Sequence, residues 1–113
     1  MSALTEWERK VLERFADACF PNDVSAATRL ASTEVATRDI MADYGYISFL
    51  SVQSRAARAD GPYDLFGRDS DNVPIEFLLF LREGEFSSLE YYRADGEAIK
   101  QMPCPAALRV QPD

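Results

Sequence analysis

The sequence predicts an α+β fold in which two N-terminal helices pack on one face of an antiparallel sheet of about five strands. Three observations carry this. Apolar residues near the N-terminus recur at three- and four-residue spacing. From Thr33 onward they alternate, culminating in the unbroken inward set Val73, Ile75, Phe77, Leu79 and Leu81. Turn residues then punctuate the alternating half at hairpin spacing. The chain of 113 residues reads as one domain, with a helical part at 1–32 and a sheet part at 33–113. A chain of this size buries about two-thirds of its surface, enough for one core.

Thr5-Glu6-Trp7-Glu8 has the form of a capping box, with Thr5 as N-cap and Glu8 at the third helical position. The helix it starts carries Leu4, Trp7, Val11, Phe15, Ala18 and Cys19 on one stripe and ends near Phe20, before Pro21. Pro21-Asn22-Asp23 opens a shorter helix through Val24, Ala27, Leu30 and Ala31. A first strand follows from Thr33 to Met41, a turn at Asp43-Tyr44-Gly45, and a second strand from Tyr46 to Val52. Residues 53–61 specify no element, Tyr63 to Arg68 reads as a third strand, and Asp69-Ser70-Asp71-Asn72 turns into the strand from Val73. The next strand, Phe86 to Arg93, places Leu89 and Tyr91 on one face and Phe86, Ser88, Glu90 and Tyr92 on the other. A three-residue loop, Arg82-Glu83-Gly84, sets Leu89 opposite Phe77, Tyr91 opposite Ile75 and Glu76 across from Glu90. Past the Ala94 to Glu97 turn, Met102-Pro103-Cys104-Pro105 rules out regular structure, and Leu108-Arg109-Val110 fits a last short edge strand.

The chain has no histidine, which removes Ser-His-Asp and Cys-His catalysis and histidine-ligated zinc. No glycine-rich phosphate loop is present, since the five glycines are scattered and each reads as a turn residue. Asp69-Ser70-Asp71-Asn72 opens like a calcium loop, but Pro74 stands where that loop needs Gly and Phe80 where it needs Glu. Glu76 and Glu90 are near enough in the expected register to be weighed as an acid–base pair, though sheet glutamates are ordinarily just solvated. No catalytic, cofactor-binding or metal-binding residue is assigned. Cys19 and Cys104 match no metal or redox spacing and are expected to be buried thiols in a reducing compartment. The charged N-terminal stretch lacks the apolar core of a signal peptide, and no apolar run reaches membrane-spanning length, so a cytoplasmic location is expected.

Net charge is −7, from 19 acidic and 12 basic residues. Its placement is uneven. Between Asp60 and Glu97 stand ten acids and three bases, so this stretch carries the whole imbalance. Such a field disfavours nucleic acid and anionic membranes and favours a basic protein partner.

The run FLLFLREGEFSSLEYYRADGEAI followed by MPCPAAL resembles a small family of uncharacterised bacterial domains. The matching positions are Phe77 to Leu81, Gly84, Phe86, Leu89, Glu90, Tyr92, Arg93, Asp95, Gly96 and Pro105. The resemblance covers the C-terminal third and implies no catalytic residues. In size, acidity and lack of catalytic groups the chain is also similar to immunity proteins of bacterial toxin–immunity pairs, including those of contact-dependent growth inhibition. Its expected function is therefore to bind and block a basic, nuclease-type toxin domain through Glu76, Glu83, Glu85, Glu90 and Tyr92, with Tyr92 as anchor. One alternative is a ligand-binding or enzymatic domain with a pocket between helices and sheet, lined by Trp7, Tyr44 and Tyr63. Another is a structural or oligomeric module joined through Leu78 and Phe80.

Overall fold

The computed structural model describes residues 2–50, 59–82 and 85–111. Its elements run β1 (Ser2–Ala3), α1 (Glu6–Cys19), α2 (Ala26–Ser32), β2 (Glu34–Ile40), β3 (Tyr44–Phe49), β4 (Ala59–Arg68), β5 (Pro74–Arg82) and β6 (Glu85–Arg93), then a 3-10 turn at Pro105–Ala107. The fold is α+β, with an antiparallel sheet of order β1-β2-β3-β6-β5-β4. The sheet has six strands because Ser2 and Ala3 pair with Val35 and Glu34. So short a pairing carries no period that a sequence could display.

Helix α1 begins as its capping box requires. Glu8 N–H donates to Thr5 Oγ1 at 3.1 Å, and Thr5 N–H donates to Glu8 Oε1 at 2.8 Å. The same glutamate is only 3% exposed and binds Arg38 of β2 through two bonds, Nε to Oε2 at 2.7 Å and Nη2 to Oε1 at 2.8 Å. Arg38 also donates to Ser2 Oγ and the Ala3 carbonyl. One carboxylate therefore caps the helix and fastens it to β1 and β2. Burial works against its charge, but the Arg38 guanidinium and the Thr5 donors outweigh that and lower its pKa. The buried apolar stripe of α1 is Val11, Leu12, Phe15 and Ala16, so Leu12 and Ala16 join the expected set, while Trp7 packs half-buried on Phe77 and Tyr91.

The hairpin between β5 and β6 departs from expectation in its register. Arg82 pairs with Glu85, leaving two residues between the strands, and Leu81 pairs with Phe86. Ser87 is then an extra residue, because Phe80 pairs with Ser88, Leu79 with Leu89 and Phe77 with Tyr91. An unbulged two-residue turn would bring Glu90 opposite Phe77. The bulge shifts the ladder by one and returns Leu89 and Tyr91 to the core face. It also turns Phe86 inward, where it is 1% exposed, rather than outward with Ser88. Glu76 consequently faces Tyr92, and Glu90 faces Leu78; the two glutamates are diagonal neighbours, not directly opposed.

Further corrections concern the ends of strands and the thiols. The β2–β3 turn is tighter than expected, closed by the Met41 N–H donating to the Tyr44 carbonyl at 2.7 Å, so Tyr44 and Gly45 belong to β3. Gly45 is there for space rather than for a turn, since a Cβ would lie 2.2 Å from the Tyr91 ring. Strand β3 ends at Phe49; Ser51 and Val52 of the expected second strand and residues 53–58 of the unassigned segment lie outside the described residues, and Ala59 to Pro62 lengthen β4. Both cysteines are free, with Cys19 half-buried and Cys104 exposed instead of buried.

The core fills the layer between α1 and the sheet with Val11, Leu12, Phe15, Ile75, Phe77, Leu79 and Leu89 at its centre. Leu30 of α2 and Leu108 of the tail close its margins. Phe77→Ala is expected to cost about 3–5 kcal/mol through the cavity it leaves, and Thr5→Ala about 1 kcal/mol through loss of the cap. Urea unfolding measures both, and a parent-like midpoint for Phe77→Ala would contradict the inward placement of that ring.

Candidate binding face

Because α1 covers one face, alternation along each strand sends the intervening residues to the other, open face. The register orders them into rows. One row runs Tyr44, Tyr92, Glu76, Phe66 across β3, β6, β5 and β4. The next runs Asp39, Tyr46, Glu90, Leu78, Asp64 from β2 to β4, and a third runs Thr37, Ser48, Ser88, Phe80. Glu85, opposite Arg82, stands at the hairpin end of the same face.

Four of the five residues expected to bind a partner are thus brought to this one face: Glu76, Glu85, Glu90 and Tyr92. Glu83 lies outside the described residues. Tyrosines hold the two central carboxylates. Tyr44 Oη donates to Glu90 Oε1 at 3.0 Å, and Tyr92 Oη donates to Glu76 Oε1. Both phenols resist ionisation beside these carboxylates. Burial, then Glu90, pushes Tyr44 up to about 12, and the bond to Glu76, then burial, raises Tyr92. Asp64 was not anticipated from the sequence. Its Oδ1 is buried without a hydrogen-bond partner, and burial, then Glu76, pushes its pKa up.

The alternative pocket does not assemble from its expected residues. Tyr63 pairs opposite Leu79 on the covered face and stacks edge-on with Phe20, and Trp7 lies against Phe77. Tyr44 is on the opposite side of the sheet.

A second feature not anticipated from the sequence lies on the inward side, at the end of β6. Arg93 follows Leu89 and Tyr91 on the inward side and is only 5% exposed. Its guanidinium is ringed by three aspartates: Nη1 to Asp69 Oδ2, Nη2 to Asp71 Oδ2 and Nε to Asp95 Oδ1, each at 2.7 Å. Asp69 in turn accepts backbone N–H bonds from Ser70, Lys100 and Gln101 at 2.6–2.8 Å. The turn that opens like a calcium loop therefore binds a cation, but that cation is the protein's own arginine. The sequence signal was an arginine in phase with core residues. Burial alone would raise the Asp69 pKa, yet the Lys100, Ser70 and Gln101 donors, with Arg93, hold it well below the carboxylate range. Arg93 is the leading cause that lowers Asp71 and takes Asp95 to about 2.

Comparison with protein-family models, curated proteins and solved structures found no match. Among the described residues no group of three or more His, Cys, Asp or Glu is placed to hold a metal ion, and no helix is long and apolar enough to cross a membrane.

The Arg93 cluster sets an acid limit. Its carboxylates have depressed folded values, so their contribution is complete above the unfolded value of about 4 and is lost as pH falls through the folded ones. Thermal melts from pH 6 to pH 2 are expected to hold level at the upper end and drop below about pH 4. Asp95→Asn should lower the plateau and flatten the drop; an unchanged acid slope would show that other groups set it.

Proposed function

We propose that this protein is a non-catalytic binding protein whose open sheet face docks on a basic protein partner, in the manner of an immunity protein that blocks the nucleic-acid-binding cleft of a cognate toxin domain. The observation that carries this reading is the convergence of Asp39, Asp64, Glu76, Glu85 and Glu90 on the face that α1 does not cover, interleaved with Tyr44, Tyr46, Phe66, Leu78, Phe80 and Tyr92. Aromatic and apolar groups among fixed carboxylates suit a lysine- and arginine-rich surface, because the carboxylates pair with the cations while the ring faces attract them. A toxin that cleaves nucleic acid presents such a surface to phosphates, and the acidic face competes for the same side chains while steering encounter. The location consistent with this role is the cytoplasm, where the toxin would act.

The test starts from the gene neighbourhood, where a toxin reading frame is expected, and uses its toxin domain in growth protection and in binding kinetics at low and high salt. Glu76→Gln with Glu90→Gln removes two charges but keeps an acceptor for each tyrosine. It is expected to slow association by about tenfold at low salt, with the difference shrinking at high salt. Tyr92→Ala is expected to act through faster dissociation. Unchanged association of the double variant would move the interface to another surface, and absence of any binding by the parent would remove the immunity reading.

A further inference from the structure

On the α1 side of the sheet the register lines up Ile40, Gly45, Tyr91 and Phe77 in one row across β2, β3, β6 and β5. Phe77 at one end is fully buried, but Ile40 at the other end is exposed. A groove of about 280 Å³ opens there, between the β2–β3 turn and the segment Ile99 to Met102. Ile40, Met41, Ile99 and Met102 form its walls, and the buried Tyr91 lies at its base. The walls are fixed in the folded chain. Ile99 N–H donates to the Ala42 carbonyl at 2.7 Å, Met41 N–H to the Tyr44 carbonyl at 2.7 Å, and the Lys100 and Gln101 amides to Asp69, so little ordering is needed when a ligand arrives. Tyr91 is only 6% exposed. Its ring packs on Trp7 and Phe77, and its hydroxyl end lies across Gly45, where a Cβ would come within 2.5 Å of Oη. Gly45 pairs with Ile40, so the hydroxyl points along the row toward the groove. It has no hydrogen-bond partner among the described residues. For packing alone Phe would serve, without a polar atom to leave unpaired.

From this combination we infer that the groove binds a small uncharged aromatic molecule carrying one hydroxyl or ring N–H. That group would donate to Tyr91 Oη, while the ring lies between Met41 and Met102, whose flexible thioethers make favourable contacts with aromatic edges. An apolar cavity of about 150 Å³ holds a single benzene ring, so this groove has room for two fused rings. Among the described residues the charged side chain lining it is Lys100, which already pairs with Asp71 at 3.3 Å, and this favours a ligand without charge. The site lies on the opposite side of the sheet from the proposed docking face and does not depend on that reading.

Indole titrated into isotope-labelled protein, with benzofuran as its match lacking the N–H, tests the inference. Indole is expected to shift the amide resonances of Ala42, Ile99, Gln101 and Met102 and the methyl resonances of Met41 and Met102 saturably, with benzofuran binding about tenfold more weakly. Tyr91→Phe is expected to weaken indole by about tenfold and to erase its advantage over benzofuran, while the urea midpoint stays level or rises because no internal hydrogen bond is lost. Ala42→Trp, at an exposed position beside the groove, should fill it and abolish the response without disturbing distant resonances. Equal binding of indole and benzofuran by the parent, undiminished indole binding by Tyr91→Phe, no response at millimolar indole, or preference for a tryptophan-containing peptide over indole would each overturn the inference.

Discussion

Everything on both faces of the sheet depends on the ladder between β5 and β6 and on the one-residue bulge at Ser87. A sheet has a period of two, so the bulge decides which side chains meet α1 and which meet solvent. With it, Phe86, Leu89 and Tyr91 enter the core opposite Leu81, Leu79 and Phe77. Without it, Glu90 would stand against Phe77, and burying that carboxylate unpaired would cost more than the hairpin gains. The same bulge leaves Glu90 and Tyr92 outward, so core and candidate binding face are two consequences of a single backbone feature.

Polar groups at the margins of the core follow a common rule. Glu8 and Arg93 are both buried ions, and each is surrounded by several fixed partners. Desolvation penalises both, and only dense hydrogen bonding offsets it. What such clusters add is geometry. Glu8 ties the start of α1 to β1 and β2 through Arg38, and Arg93 ties the end of β6 to the β4–β5 turn and, through Asp69, to the backbone at Lys100 and Gln101. The opposite ends of the sheet are thereby locked by charge, while its middle is held by packing.

What the sequence made legible was set by periodicity and local chemistry. The capping box at Thr5, the helical stripe through Phe15 and the alternation from Ile75 to Leu81 are local patterns, and the structure contains all of them. Face assignment of Leu89 and Tyr91 also survived, because carboxylates avoid a core whatever the loop. Exact pairing did not, since a three-residue loop and a two-residue turn plus a bulge preserve the same alternation but differ by two residues in register. Glu76, Glu90 and Tyr92 could be placed on one face for the same reason, whereas Glu85 joins them only through the bulge. Asp64 escaped notice, and Tyr44 was assigned to a turn and a pocket rather than to this face, because their roles arise from neighbours on other strands; the Arg93 cluster likewise joins residues 24 and 22 positions apart.

The open face holds more negative charge than the fold requires. Asp64, Glu76 and Glu90 sit at successive diagonal positions around Leu78, where like charges oppose one another. Two tyrosines fix Glu76 and Glu90 without neutralising them, and the upward pKa shift of Asp64, led by burial and furthered by Glu76, reflects what remains uncompensated. Elsewhere the protein answers buried carboxylates with arginine, at Arg38 and at Arg93. Here β3 and β6 place only Tyr, Ser and Glu on this face between Tyr44 and Ser88, and the arginines of the face, Arg68 and Arg82, stand at its ends. An arriving lysine or arginine would relieve that repulsion and find the carboxylates already oriented, so part of the ordering cost of binding has been met in folding. A face of this kind gains more from a cationic partner than an equally acidic but mobile surface would, and that difference supports reading it as a recognition surface rather than as solubilising charge.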